Sequence, residues 1–166
     1  MSMFFKKCTT APTKLSPMLE RLKKDLEHDE GVRHEIYLDH LGLPTAGIGH
    51  LLIEGDPEYA LDVGTPISQE RVDQWFAVDV RNCLEDCANI FMNWEELPAE
   101  AQCILANMAF NLGATRLRRF RRMIEAIHCQ DFAAAAGEML DSRWAGQVPN
   151  RAQRLIRRMR KLHDEC

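Results

Sequence analysis

Apolar residues recur three and four apart over much of the chain, and that spacing is the signature of helices with one buried face. Leu19, Leu22 and Leu26 follow this rhythm after Ser16-Pro17, a cap residue and a first-turn proline, and Gly31 is placed to end the helix. The rhythm then breaks. Ile36-Tyr37-Leu38 reads as a short strand, Gly42 as a turn, and 45–51 as a second strand with Pro44 at its start or at a sheet edge. Residues 53–66, with Gly55, Pro57, Gly64 and Pro66, form a polar loop.

From Ser68 onward every periodic stretch is helical. The first carries Val72, Trp75, Phe76, Val80, Cys83 and Cys87 on one face. Pro98 opens the next, with Ile104, Leu105, Met108 and Leu112 on a face and Gly113 at its end. Two more are expected over 115–128 and 131–141, the second capped by Asp131, and Pro149 starts a last one bearing Ala152, Leu155, Ile156 and Met159. The pattern predicts a mostly helical α+β fold. A small β-bearing lobe occupies about 31–68, a linking helix about 69–91 and a helical lobe about 92–160. Residues 1–15, small and polar with Pro12, read as an extension ahead of the domain at 16–160.

Composition narrows the class. With 166 residues, 46% hydrophobic and 28% charged, the chain can bury a core without staples. No apolar run is long enough for a membrane span, and the N-terminal stretch lacks the apolar core of an export signal. Six cysteines at 8, 83, 87, 103, 129 and 166 form no dense framework; they read as reduced, buried thiols, and the Cys83/Cys87 spacing lacks the second ligand pair that zinc requires. No metal and no organic cofactor is expected. His28, His34 and His40 fit no ligand spacing and read as surface residues.

The net charge of −4 is unevenly spread: residues 1–112 carry −10 and residues 113–166 carry +6. The basic part includes "RLRRFRR" at 116–122, which taken alone resembles a nucleic-acid patch, but the acidity of the rest favours a solvated helix face and no nucleic-acid partner.

The segment "HDEGVRHEIYLDHLGLPTAGIGH" (28–50) concentrates the ionisable groups. Glu30 falls at the end of the first helix, where the partial negative charge of the helix terminus disfavours a second one, as a general acid requires. Asp39 lies in a turn, where a carboxylate stays solvated and ionised. One proton donor and one carboxylate in unlike surroundings is the pairing of glycoside hydrolysis. The plainer reading makes Glu30 a helix-end charge and Asp39 a turn former. Thr45, on the next strand, offers a hydroxyl to hold a water beside the carboxylate. Gly47 and Gly49 permit close approach of a neighbour or ligand. Asp79 shares the apolar face of the helix at 69–91 and needs a partner, for which His50 is the candidate in a structural ion pair.

These residues resemble the phage-type lysozymes of glycoside hydrolase family 24, the T-even phage group. The likeness rests on "DEGVRHEIYLDHLGLPTAGIGHLL" (29–52) and continues through "FAVDV" (76–80), "ILANMAFNLG" (104–113), "RRFRRMIEAI" (118–127) and "SRWAGQVPNRAQR" (142–154). The resemblance implies the lysozyme-like two-lobed fold and cleavage of the β-1,4 bond between N-acetylmuramic acid and N-acetylglucosamine in peptidoglycan. It implies Glu30 as proton donor, Asp39 as second carboxylate, Thr45 as the residue positioning water, Leu51 and Phe110 in the sugar cleft, and Arg151 against Glu30. It implies His50–Asp79 as a structural pair. Met123 and Glu138 stand where relatives carry a small hydroxyl and an amide, and the stretch between His50 and Asp79 is shorter than theirs. The expected protein is a monomeric endolysin with peptidoglycan as its partner and no stable membrane insertion. It would accumulate in a host cytoplasm and reach the wall through a pore. A peptidoglycan-binding relic and a lysozyme module of a tail or secretion assembly are the alternatives. The split charge predicts wall lysis that varies with ionic strength.

Overall fold

A computed structural model describes residues 16–164; the extension expected over 1–15 lies outside them. The first helix, α1 (Pro17–Glu30), is capped by Ser16, whose side chain accepts from the Leu19 amide at 3.3 Å, and ends at Gly31 with φ 75°. Leu22 and Leu26 are its buried residues. Strand β1 (Arg33–Leu38) pairs antiparallel with β2 (Pro44–Gly47), which pairs antiparallel with β3 (His50–Leu51), in sheet order β1-β2-β3. Tyr37 lies opposite Thr45, Thr45 opposite Leu51, and Ala46 opposite His50.

The single strand expected over 45–51 is therefore a hairpin. Gly47 and Gly49 both take positive φ, 63° and 71°, and turn the chain between β2 and β3. That conformation is open to glycine at little cost. Pro44 opens β2, which is the central strand and not an edge.

The linking helix is α2 (Gln69–Ile90), with Ser68 as cap and all six predicted apolar positions buried. It touches β2, β3, α3 and α4 and so joins the sheet to the helical part. A short 3₁₀ turn (Trp94–Glu96), not expected from the sequence, leads into α3 (Ala99–Leu112). This helix does not present one apolar face: Ala101, Cys103, Ile104, Leu105, Ala106, Asn107, Met108 and Ala109 are all buried. It is enclosed by α1, α2 and α8, as a helix apolar on every side must be.

The helix expected over 115–128 is two: α4 (Ala114–Leu117) and α5 (Arg121–His128). Leu117 and Met123 are both fully buried. On one unbroken helix they would lie about 120° apart, too far to share a core. The break at 118–120, tightened by Arg119 N–H to Arg116 O and Phe120 N–H to Leu117 O, lets both face inward. Then come α6 (Phe132–Leu140) with its Asp131 cap, the short α7 (Arg143–Gln147), also unforeseen, and α8 (Pro149–Asp164). Cys83, Cys87 and Cys103 are free and buried, as expected, whereas Cys129 is exposed. Among the described residues no helix is long and apolar enough to cross a membrane.

Candidate active site

Glu30 is the last residue of α1, fixed there by the Gly31 cap, whose N–H returns to Glu27 O at 3.0 Å. From the far end of the chain, α8 delivers Arg151, of which 6% is exposed. Its Nη1 donates to Glu30 Oε1 at 2.6 Å, its Nε to Asn107 Oδ1 at 2.8 Å and its Nη2 to Asn107 O at 3.2 Å. The predicted Arg151–Glu30 contact is present, and the helix terminus and the guanidinium thus act on one carboxyl from two sides.

Asp29, adjacent to Glu30, went unremarked in the sequence. It accepts both Nη atoms of Arg154, at 2.8 and 2.6 Å, and the Asn107 amide at 3.0 Å, and it lies 3.3 Å from Arg151 Nε. Burial works to raise its pKa, but the Arg154 fork, the Asn107 amide and the two guanidinium charges outweigh it and hold Asp29 below the ordinary 3.8. The two carboxyls thus divide the work: Asp29 anchors the two arginines, and Glu30 meets one of them at the crevice. That crevice, about 390 Å³, is lined by Glu30, Asn111, Val148, Asn150 and Arg151 among others.

Asp39 sits in the turn after β1. Its Oδ1 accepts the N–H groups of Leu43 at 2.9 Å and Leu41 at 2.8 Å. The Leu43 amide is the chief reason its pKa lies below 3.8, with the Leu41 amide adding to it against a smaller desolvation effect. A carboxylate so held stays ionised, as the turn position predicted. Thr45 is 4% exposed, and its hydroxyl donates to Leu43 O at 3.1 Å. Leu43 therefore ties the two together through opposite faces of its backbone. With its proton committed to Leu43 O, Thr45 offers a water only lone pairs.

Tyr37 was not singled out in the sequence, yet it faces Thr45 across the sheet and carries the Arg33 guanidinium 4.4 Å from its ring. Burial raises its phenol above 10.0; Arg33 opposes this, and the charges of both Glu30 and Asp39 add to it. This one hydroxyl therefore lies in the field of both carboxylates. The β2–β3 turn reaches Glu30 as well: a Cβ on Gly49 would stand 3.8 Å from Glu30 Cβ.

His50 pairs with Asp79 as expected, Nδ1 to Oδ2 at 2.8 Å, but Asp79 is a quarter exposed and not fully buried. A second carboxylate, Asp56, was missed: it lies 3.3 Å from Nε2 and also accepts Trp75 Nε1 at 3.2 Å. The imidazole stacks on Trp75 at 4.8 Å. Burial lowers the His50 pKa, and the Asp79 and Asp56 contacts together reverse that, leaving it above 6.5. Leu51, on β3, is 44% exposed, and Phe110 is partly buried at the end of α3; neither lines the Glu30 crevice. Among the described residues no group of three or more His, Cys, Asp or Glu is placed to hold a metal.

Residues 27–161 match the family model described as phage lysozyme. The chain is 29% identical over 158 residues to "Probable T4-type lysozyme 2" of Dictyostelium discoideum, covering 84% of this chain and 93% of that protein. It is 32% identical over 137 residues to "Peptidoglycan hydrolase gp36" of Pseudomonas phage phiKMV, covering 82% of this chain and 15% of that protein. It is 28% identical over 162 residues to "Pre-baseplate central spike protein Gp5" of Enterobacteria phage T4, covering 87% of this chain and 28% of that protein.

Proposed function

The chain belongs to the phage lysozyme family of glycoside hydrolases, and from that premise we propose that it cuts the β-1,4 bond between N-acetylmuramic acid and N-acetylglucosamine in peptidoglycan. The observation that carries the site assignment is the placement of two carboxyls in unlike surroundings, Glu30 against Arg151 at the crevice and Asp39 in a turn of amide donors. In this reading Glu30 protonates the leaving glycosidic oxygen. Asp39, kept ionised by the Leu43 and Leu41 amides, takes a proton from a water on the opposite face of the sugar ring, and Thr45 accepts a hydrogen bond from that water. Attack from the far face inverts the anomeric carbon. Arg151 fixes the Glu30 carboxyl between turnovers. Leu51 and Phe110 contact the saccharide flanking the bond.

The test is Glu30→Gln. General acid catalysis contributes about 10²- to 10⁴-fold, so clearance of outer-membrane-permeabilised cells should fall by at least the lower figure. A variant that lyses at the wild-type rate would end the assignment. Nuclear magnetic resonance of the fresh reducing end reads the anomer directly; a retained configuration would remove the water-activating role from Asp39.

We read the protein as a monomeric endolysin held in the host cytoplasm until a pore admits it to the wall, causing lysis of the host. The match covers 93% of the Dictyostelium lysozyme but far smaller shares of gp36 and Gp5, and that favours the endolysin reading. A tail-borne module is the second reading, favoured by the likeness to parts of gp36 and Gp5, of which this chain spans 15% and 28%. Co-purification from infected cells separates the two.

A further inference from the structure

The last turn of α1 and the first turns of α8 share a chain of contacts behind Glu30. Asp29 and Glu30 are neighbours in sequence but point about 100° apart around their helix. The Asp29 side chain is 4% exposed and that of Glu30 25%, so one is sealed in and the other meets the crevice. On α8, Arg151 and Arg154 lie three residues apart and face the same side. Arg151 meets both carboxyls: its Nη1 lies 2.6 Å from Glu30 Oε1 and its Nε 3.3 Å from Asp29 Oδ2. Among the described residues Arg154 has Asp29 as its one ion-pair partner, held through both Nη atoms.

Asn107 of α3, fully buried, closes the chain. Its side-chain N–H donates to Asp29 Oδ2 at 3.0 Å, and its Oδ1 accepts from Arg151 Nε at 2.8 Å. Reversing that amide would set oxygen against carboxylate and donor against donor, so its two neighbours fix its orientation. A change at Asp29 is therefore felt at Arg151, and through Arg151 at Glu30. Two anions compete for one guanidinium, and a second guanidinium occupies one of the competitors.

We propose that Asp29 and Arg154 are positioning residues for the acid step: Asp29 competes with Glu30 for Arg151, Arg154 limits that competition by holding Asp29, and the pair thereby sets how firmly Arg151 grips Glu30. The inference rests on the muramidase reading given above, in which Glu30 gives up a proton. A guanidinium bound to a carboxyl favours the anion, so a firmer grip confines the proton donor to lower pH and a looser one extends it to higher pH. The other titratable or charged groups about Glu30 among the described residues are His28, which lines the crevice, Tyr37, which feels the Glu30 charge, and Arg33 and Asp39, which act on Tyr37 with it. They are the same in every variant below, so differences between variants isolate the pair.

The test takes the full chain at fixed ionic strength and reads two quantities: the alkaline limb of the pH–rate profile for wall clearance, and the titration of the Glu30 side-chain carbon by carbon-13 nuclear magnetic resonance. Asp29→Asn turns Arg151 wholly to Glu30 and should move both to lower pH by about half a unit. Arg154→Gln releases Asp29 to draw on Arg151 and should move both to higher pH by about as much. Arg154→Lys keeps the charge and should return both toward the wild type. With Arg151→Lys added, the fork that Asp29 and Glu30 share is lost, and the two shifts should shrink by at least half. Urea midpoints measured alongside establish that each variant is folded. Should Asp29→Asn not fold, an upward shift in Arg154→Gln that Arg154→Lys lacks is the required result. A merely structural pair would lower the rate at every pH and leave the limb in place. Unmoved limbs, shifts of the same sign in Asp29→Asn and Arg154→Gln, or shifts undiminished by Arg151→Lys would each overturn the proposal. Wall lysis with unmoved limbs defeats the positioning role alone. Opposed shifts in the Glu30 titration of a chain that cleaves no wall defeat the muramidase reading and leave the coupling standing.

Discussion

Replacing His50 by Gln should destabilise the protein most between about pH 4 and 6.5, and the structure sets the size of the loss. Protonated His50 donates to Asp79 at 2.8 Å and faces Asp56 at 3.3 Å. A hydrogen bond between charged groups contributes about 1.5–3 kcal/mol when well formed. The second contact is long for an N–H···O bond, and the quarter-exposed Asp79 carboxylate is open to competing water. Together they amount to about 3 kcal/mol, which for a chain of this size lowers the melting temperature by about 6–12 °C. The sign of the pH dependence follows from the directions. His50 lies above its ordinary 6.5 in the fold, so its contribution is complete below that value and fades as pH rises through the folded value. Asp56 lies below 3.8, because the Ile53 amide, the Trp75 indole and His50 outweigh its burial, so its contribution is complete above 3.8 and fades as pH falls through the folded value. Scanning calorimetry at about pH 5.5 and again at about pH 9 should therefore give a gap between wild type and variant that narrows to about 1 kcal/mol on the alkaline side, where one ring nitrogen turns a lone pair toward a carboxylate. An equal gap at both values would refute the ion-pair account and leave only the stacking on Trp75.

Asp29→Asn should cost about 3 kcal/mol in urea unfolding, since it leaves Arg154 without its anion and Arg151 with Glu30 alone; an unchanged midpoint would show that Arg154 needs no anion and that Glu30 with Asn107 suffices for Arg151. Gly49→Ala should cost about 1 kcal/mol from the positive φ alone, because its nearest neighbour stands 3.8 Å away. Gly47→Ala should be worse, its Cβ meeting Val72 Cγ1 at 3.3 Å, and the reverse order in thermal melts would contradict the hairpin geometry. In a chain with Cys8 and Cys166 replaced by Ser, a thiol reagent at about pH 8 should label Cys129 quickly and the other three only on unfolding, because burial pushes Cys103 up to about 11 and the neighbouring Cys83 thiol, together with burial, raises Cys87. Fast labelling of Cys103 would mean that α3 is less enclosed than its contacts show.

The helices with clean periodicity and caps were legible in the sequence, and α1, α2, α6 and α8 begin at the cap or proline that announces them. What escaped was structure set by distant partners. No Gly or Pro marks the break between α4 and α5; only the need to bury both Leu117 and Met123 requires it, and that need is visible only once the core is known. Gly47 and Gly49 suggest room for a neighbour, and in the fold they supply both that room and a turn. At the site, a local stretch of 28–50 announced Glu30, Asp39 and His50 by its density of ionisable groups. Arg151 came from the family likeness. Asp29, Asn107 and Arg154 carry no local signal, because their importance lies in contacts spanning 44 to 125 positions. Asp56 looked like one more loop acid until the fold brought it to His50 and Trp75. Tyr37 looked like one more strand aromatic.

The 2.6 Å link between Glu30 and Arg151 joins residues 121 positions apart, and so it orders events during synthesis. At about 5–20 residues per second a ribosome needs roughly 6–24 s to travel that distance. For that interval the nascent polypeptide carries its carboxyl without the guanidinium that anchors it, and α1 has no α8 to rest on. A growing chain therefore holds every residue of the early segment and none of the geometry that segment depends on, so a truncated product cannot acquire the finished arrangement.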